Sequence, residues 1–248
     1  MGYGFEVWGA HRFSTEHAAQ DQYFVHKFEC EGKEIHIGVL SDGCTGDVGD
    51  FDYQPELGAR WLVREFSKQA EIFYQQGERG DELARRIILA ILAGMRNYQP
   101  RYPRSKWIKG HHGQYCDELV ATLYGFIVDE KELVLVTSGD GFVLHNKTWR
   151  FNPDDGVYPC QILIKYSEQR CGEKLDQYFR INSWPIDTIN TFAIASDGFK
   201  RISTTEIKKA FIQWGNNPEE LVLKLIKLPE IPEKHDDITV VALAVRSN

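Results

Sequence analysis

The sequence predicts an α+β fold in which strands and helices segregate into layers. Its apolar runs come as strands, two helices, many strands, two helices and a last strand, unlike the alternation of a doubly wound sheet. Its 248 residues are 42% hydrophobic and 26% charged, an ordinary globular composition with enough apolar material for one large core. No repeat, low-complexity tract or linker interrupts it, so residues 1–248 read as a single domain.

Short strands are expected at 5–8, 23–28 and 35–40, where β-branched and aromatic residues cluster. A helix opens at Pro55, a good first-turn residue, and sets Leu62, Phe66 and Phe73 along one side. A second follows Asp81 as its N-cap, with Leu83, Ile87, Ile91 and Met95 at four-residue spacing. Residues 97–113 form an aromatic, basic, Pro-containing loop. Strands return at 119–128, 133–138 and 142–145, with 129–131 as a tight hairpin connection. Residues 146–186 hold Pro153, Pro159 and Pro185 and read as strand fragments plus a surface excursion. A buried strand at 191–195 precedes Ser203-Thr204-Thr205-Glu206, a capping-box signature. Asn217-Pro218 caps a further helix carrying Leu221, Leu225 and Ile226, and a Val-rich strand at 237–245 follows.

Composition narrows the function classes. A formal net charge of −7 disfavours a general nucleic-acid binder, which needs a basic surface. No apolar run is long enough to span a membrane, and the first residues do not resemble a secretory signal. The five cysteines are irregularly spaced and contain no C-x-x-C, so neither a disulfide scaffold nor a zinc knuckle is suggested and a cytoplasmic setting is expected.

The chemistry is suggested by where the aspartates fall. One apolar run stops at Ser41-Asp42-Gly43 and another at Ser196-Asp197-Gly198. A carboxylate at the end of a buried strand is costly unless something neutralises it. Either triplet alone could simply cap a turn, because Asp-Gly is a favoured turn pair. The set, however, also includes Asp21 before the strand at 23–28, Asp140-Gly141 after the strand at 133–138, and Asp236-Asp237 before the last strand. If these strands share one pair of sheets, their ends converge, and converging carboxylates require cations. All-oxygen ligands favour Mg²⁺ or Mn²⁺ over zinc. A glycine after each aspartate lets backbone approach an ion and offer its carbonyl.

In this pattern the sequence resembles the metal-dependent serine/threonine protein phosphatases of type 2C, and in particular a compact bacterial branch of them. The matching pieces occur in order: Gln20-Asp21, Val39 to Gly43, Gly58-Ala59, Ala121-Thr122-Leu123, Ser138-Gly139-Asp140, Ala195 to Gly198 and Asp236-Asp237-Ile238-Thr239. The resemblance implies a four-layer α-β-β-α sandwich of two mainly antiparallel sheets flanked by helices, with a binuclear centre of Mn²⁺ or Mg²⁺ at one end. It implies that Asp42 bridges the two ions, Gly43 gives its carbonyl, and Asp197 and Asp236 hold the second ion. Asp21 is then a ligand or an acceptor for water on the metal, and Asp140 helps bind a third, labile ion. The implied reaction is hydrolysis of phosphoserine and phosphothreonine on proteins by a metal-activated water, with no protein nucleophile. Implied partners are a phosphorylated protein and, among possible ones, a cognate serine/threonine kinase, with no nucleic acid and no membrane.

The sequence departs from the family in three places. Glu16 and His17 stand where many relatives carry a phosphate-gripping Arg, which leaves His11 and Arg12 as candidate substitutes. Cys44 stands where some relatives have a general-acid His, and Gln20 replaces a Glu. The basic stretch from Arg101 to His112 is expected to be a solvated loop, and 166–180 a variable flap beside the site. Two other functions fit the same residues: a catalytically weak module that binds a phosphorylated partner, and a phosphoesterase acting on small molecules.

Overall fold

The structure, a computed structural model, describes residues 3–13, 20–44, 54–146, 148–152, 157–228 and 237–247. Its strands and helices, in chain order, are β1 (Tyr3–Arg12), β2 (Gln22–Cys30), β3 (Lys33–Ser41), α1 (Pro55–Gln75), α2 (Gly80–Arg96), β4 (Trp107–Lys109), β5 (Gln114–Cys116), β6 (Leu123–Val128), β7 (Glu132–Ser138), β8 (Gly141–His145), β9 (Thr148–Asn152), α3 (Ile162–Lys165), α4 (Glu168–Cys171), β10 (Arg180–Pro185), β11 (Thr191–Ala195), α5 (Thr204–Trp214), α6 (Pro218–Leu225) and β12 (Ile238–Ser247). Two five-stranded sheets run β1-β12-β11-β8-β9 and β10-β7-β6-β3-β2, and every pairing in them is antiparallel.

Strand alternation fills three spaces between four layers. Phe192, Ile194, Val241 and Leu243 point from one sheet toward Leu40, Phe126 and Leu135 of the other, forming the inter-sheet core. The alternate residues Ala193, Ala195, Val240 and Ala242 turn outward under Ile207, Phe211, Leu221 and Leu225 of α5 and α6. On the opposite flank Ile35, Ile37, Val39, Val134 and Val136 meet Leu62, Phe66, Ile87 and Ile91 of α1 and α2. Both faces of the central strands are therefore buried, which explains their unbroken apolar runs. Each such Leu, Ile or Phe contributes about 1.5–3 kcal/mol by leaving water. This is the expected layered α+β sandwich.

Several local expectations need revision. Asp81 is not the N-cap of α2. Arg79 holds that position, the free N–H of Gly80 is met by Glu132 Oε1 at 2.9 Å, and Asp81 lies in the first turn, accepting from Ser183 Oγ at 2.8 Å. A strand at 119–128 forms only from Leu123, because Asp117–Leu119 is wound into a 3₁₀ turn. Residues 146–186 are not chiefly a surface excursion: β9 closes one sheet and β10 the other, while Cys160, Ile162, Leu163, Leu175 and Phe179 are buried with α2. The short cap residues behave as expected, Ser203 Oγ accepting from Thr205 N and Asn217 Oδ1 from Glu220 N, both at 3.2 Å.

The loop after α2 is held by a buried acid. Glu118 is fully buried and accepts from Tyr98 Oη at 2.5 Å, from Arg101 N at 3.1 Å, from Tyr102 N at 2.8 Å and from Ser105 Oγ. Its carboxylate thus stitches the basic stretch to the domain. Its own carbonyl lies against Gly58, where a Cβ would come within 1.6 Å of it, so α1 can lie this close only with glycine there. Glu118→Ala leaves several donors without a partner and should cost about 3 kcal/mol, read by urea unfolding; Tyr98→Phe should cost about 1 kcal/mol. Equal stability of Glu118→Ala and the wild type would show that the loop does not depend on this carboxylate.

Candidate active site

Antiparallel register brings the acidic strand ends to one end of the sandwich. Gln22 at the start of β2 pairs with Ser41 at the end of β3, and Arg12 at the end of β1 with Ile238 at the start of β12. Ala195 at the end of β11 pairs with Val240 on one side and with Phe142, next to the start of β8, on the other. Asp21, Asp42, Asp140, Asp197 and Asp237 each lie at or just beyond one of these ends.

Backbone clamps fix the two Ser-Asp-Gly steps. Asp42 N donates to Thr122 Oγ1 at 3.0 Å, Thr122 N returns to Asp42 O at 2.8 Å, and Ser41 Oγ donates to Thr122 O at 2.5 Å. Ser196 N donates to Thr239 O at 2.9 Å and Thr239 N to Ser196 Oγ at 3.0 Å. Each triplet is thus bound to a threonine across the site. The glycines have a steric reason beyond ion access: a Cβ on Gly43 would lie 2.7 Å from the backbone of Pro55, and one on Gly198 2.3 Å from Asp237 O.

The carboxylates form an inner and an outer group. In the inner group Asp21 is fully buried, and among the described residues neither of its carboxylate oxygens has a hydrogen-bond partner. Burial pushes its pKa up to about 7; Asp42, Ser196 and Thr239 face it closely enough to temper the rise without reaching hydrogen-bond geometry, and Asp237 adds to it. Asp237 is itself buried and accepts from Gln20 N at 2.5 Å and Asp21 N at 3.3 Å. In the outer group Lys200 Nζ lies 2.7 Å from Asp140 Oδ2 and 3.1 Å from Asp197 Oδ2. Burial disfavours the ammonium, but the two carboxylates outweigh it and hold the Lys200 pKa above its usual value. Cys44 Sγ and Tyr158 Oη meet at 2.8 Å, and burial, Cys44 and the charges of Asp140 and Asp42 together push the Tyr158 hydroxyl up. Tyr158 therefore borders both groups.

The candidate phosphate residues part company. Alternation along β1 turns His11 toward the inter-sheet space, where its ring meets Tyr23 and Phe13, while Arg12 Nη1 reaches Ile226 O at 3.4 Å behind α6. Burial lowers the His11 pKa and Asp237 opposes the effect, so His11 faces the inner acids. Asp236 lies outside the described residues. Among the described residues, no three His, Cys, Asp or Glu side chains come close enough to hold an ion.

Sequence reading missed Lys200, Tyr158 and the clamping pair Thr122 and Thr239 as site residues. Lys200 had a signal: three residues beyond Asp197, one helical turn returns a side chain to the same face. Tyr158 had none, since its approach to Cys44 spans 114 residues of chain.

A family model described as protein phosphatase 2C matches residues 8–221, and the chain belongs to that family, which makes it a protein serine/threonine phosphatase. Solved structures share the fold. They include a bacterial serine phosphatase carrying a point mutation (TM-score 0.63, 13% identity, 99% of each chain covered). Another is the catalytic domain of the serine/threonine phosphatase PstP in complex with two manganese ions (0.57, 15%, 99% of this chain and 100% of that one). A third is the phosphatase Stp1 from Staphylococcus aureus (0.59, 13%, 100% and 97%). No curated protein matches the chain significantly in sequence. Among the described residues no helix is long and apolar enough to cross a membrane.

The raised pKa of Asp21 makes a stability prediction for protein stripped of metal by chelation. The folded carboxyl stays protonated up to about pH 7, whereas in the unfolded chain it ionises near its ordinary 3.8. The penalty therefore builds as pH rises from about 4 to 7 and is full above 7. The melting-temperature difference between wild type and Asp21→Asn, followed from pH 5 to 7.5, should move steadily in favour of the mutant. A difference independent of pH would show that Asp21 ionises normally.

Proposed function

We propose that this phosphatase removes phosphate from phosphoserine and phosphothreonine in a cytoplasmic protein substrate, and that the reaction requires Mn²⁺ or Mg²⁺. The observation that carries the metal dependence is Asp21: a fully buried carboxylate with neither oxygen hydrogen-bonded among the described residues, facing Asp42. Such a group fits a hard cation, which would replace the missing donors. Asp42, the Gly43 carbonyl, Asp197 and Asp236 are the residues proposed to hold two ions, with Asp21 as a ligand or an acceptor for nearby water and Asp140 toward the outer edge. When bound, such ions lower the pKa of water and offset charge on the phosphoryl oxygens.

The chain's own residues supply placement. Thr122 and Ser196 fix the backbone beside Asp42 and Asp197, so neither acid needs to reorganise during the reaction. Asp237 fastens the Gln20–Asp21 backbone to the start of β12. His11 is our candidate for contact with a phosphoryl oxygen, because Asp237 acts on its ring, and the Cys44–Tyr158 pair borders the acids. A serine/threonine kinase is the natural counterpart enzyme.

The test is release of phosphate from phosphoserine and phosphothreonine peptides and from p-nitrophenyl phosphate, with Mn²⁺ added and then chelated. Turnover should need the metal, and Asp42→Asn or Asp197→Ala should lower it by about 100-fold or more, because several kcal/mol of charge stabilisation is lost. Equal rates with Mn²⁺ and with chelator would exclude the metal mechanism. Hydrolysis of nucleotides but not of phosphopeptides would move the assignment to small-molecule substrates.

A further inference from the structure

We infer that Thr239 is a positioning residue for Asp21, its hydroxyl aiming that carboxylate at the cation. The inference deepens the metal-centre reading above and rests on it. Two buried polar groups carry it. Thr239 is fully buried, and among the described residues its Oγ1 has no hydrogen-bond partner. The Asp21 carboxylate that it faces is buried in the same way, with both oxygens unmet among the described residues. Orphaned buried polar atoms are rare in folded proteins, and two that face each other point to a shared task.

The side chain is held where it can act. Thr239 pairs with His11 across β12 and β1 and precedes Val241 of the inter-sheet core by two residues. Strand alternation therefore puts it on the inter-sheet face, at the end of the sandwich where Asp21 stands. Its backbone is fixed independently of its hydroxyl: Ser196 N donates to Thr239 O at 2.9 Å and Thr239 N to Ser196 Oγ at 3.0 Å. Ser196 Oγ accepts in that bond, so its own proton is left to point elsewhere, and Ser196 too faces Asp21. Two neutral hydroxyls, one at the start of β12 and one just past β11, thus flank a single carboxylate.

A hydroxyl suits this task. Its proton turns about the C–O bond, so it follows a carboxylate oxygen after a small adjustment of the side chain. It brings no net charge, and so it steers the acid without competing with the ion for it. Two such donors do not neutralise a fully buried carboxylate, which still needs a cation. Without the hydroxyl the Asp21 side chain has more freedom, and part of the free energy of ion binding goes into ordering it. Supporting partners of this kind typically change metal affinity by about 10- to 100-fold.

Thr239→Val keeps the shape and both backbone hydrogen bonds to Ser196 and removes only the hydroxyl. Calorimetric titration of chelator-treated protein with Mn²⁺ gives affinity and stoichiometry, and thermal denaturation without metal reports the fold. Thr239→Val should bind the same number of ions about 10- to 100-fold more weakly. Its melting temperature without metal should be no lower than that of the wild type, because the lost group had no partner. Thr239→Ser, which restores the hydroxyl, should bind as the wild type does. Asp21→Asn should also weaken binding, and adding Thr239→Val to it should weaken binding no further, since the threonine acts through that acid. If Thr239→Val does not fold, Thr239→Ala against Thr239→Ser makes the same comparison. Wild-type affinity in Thr239→Val, alongside weakened binding in Asp21→Asn, overturns the inference while the metal centre stands. Additive losses in the double mutant also overturn it, by placing the effect of Thr239 elsewhere. If the wild type itself binds no Mn²⁺, both readings fall together.

Discussion

The structure depends on gathering carboxylates at one end of a dry sandwich. Charges of one sign at the end of a low-dielectric core repel and lose their hydration, and both costs must be met locally. Three kinds of compensation are visible. Backbone N–H groups of Gln20 and Asp21 meet Asp237. An ammonium meets Asp140 and Asp197. Among the described residues Asp21 has neither, and its carboxyl compensates by resisting ionisation. That unmet acid is the strongest physical argument for a cation, because every other buried acid nearby already has a donor.

The same logic explains what surrounds the site. The threonines across from the two Ser-Asp-Gly steps fix the backbone without adding charge, so the aspartates are aimed by neutral hydrogen bonds. The glycines of those steps lie under another segment's backbone, at Pro55 and at Asp237. The triplet is thus a packing solution as much as a chemical one: serine or its neighbour bonds a facing strand, aspartate projects into the site, and glycine lets the next element close over it. Elsewhere the chain handles buried acids differently. Glu118 and Asp129 are each satisfied by a tyrosine hydroxyl and backbone N–H groups, Tyr98 and Tyr74 being the respective donors. Those two acids are structural and stand apart from the aspartate cluster.

Family membership fixes the fold and the reaction class, and the chain's individuality lies in what it places around the acids. Lys200, the Cys44–Tyr158 contact and the inward-facing His11 differentiate this site from a generic cluster of aspartates. They come from four separate segments of the chain, so the surroundings of the acids are a property of the closed sandwich.

The layers and their order were legible in the sequence, because the periods of α1 and α2 and the apolar runs of β3, β11 and β12 are strong local signals. So was the set of aspartates, since each stands at the end of an apolar run. The sequence could not show that Arg12 turns away from the acids while His11 turns toward them, a division set by the pleat of β1 between two packed layers. It could not show that residues 146–186 contribute edge strands to both sheets, because β9 and β10 are short and lack a periodic signature. Nor could it show that Asp81 yields the cap of α2 to Glu132, an acceptor from another layer. Local sequence determined which segments became strands and helices and where each acid would stand along them. Only tertiary closure decided which acids share a cation, which are neutralised by the chain and which are left without a donor, because those outcomes depend on distances between segments far apart in sequence.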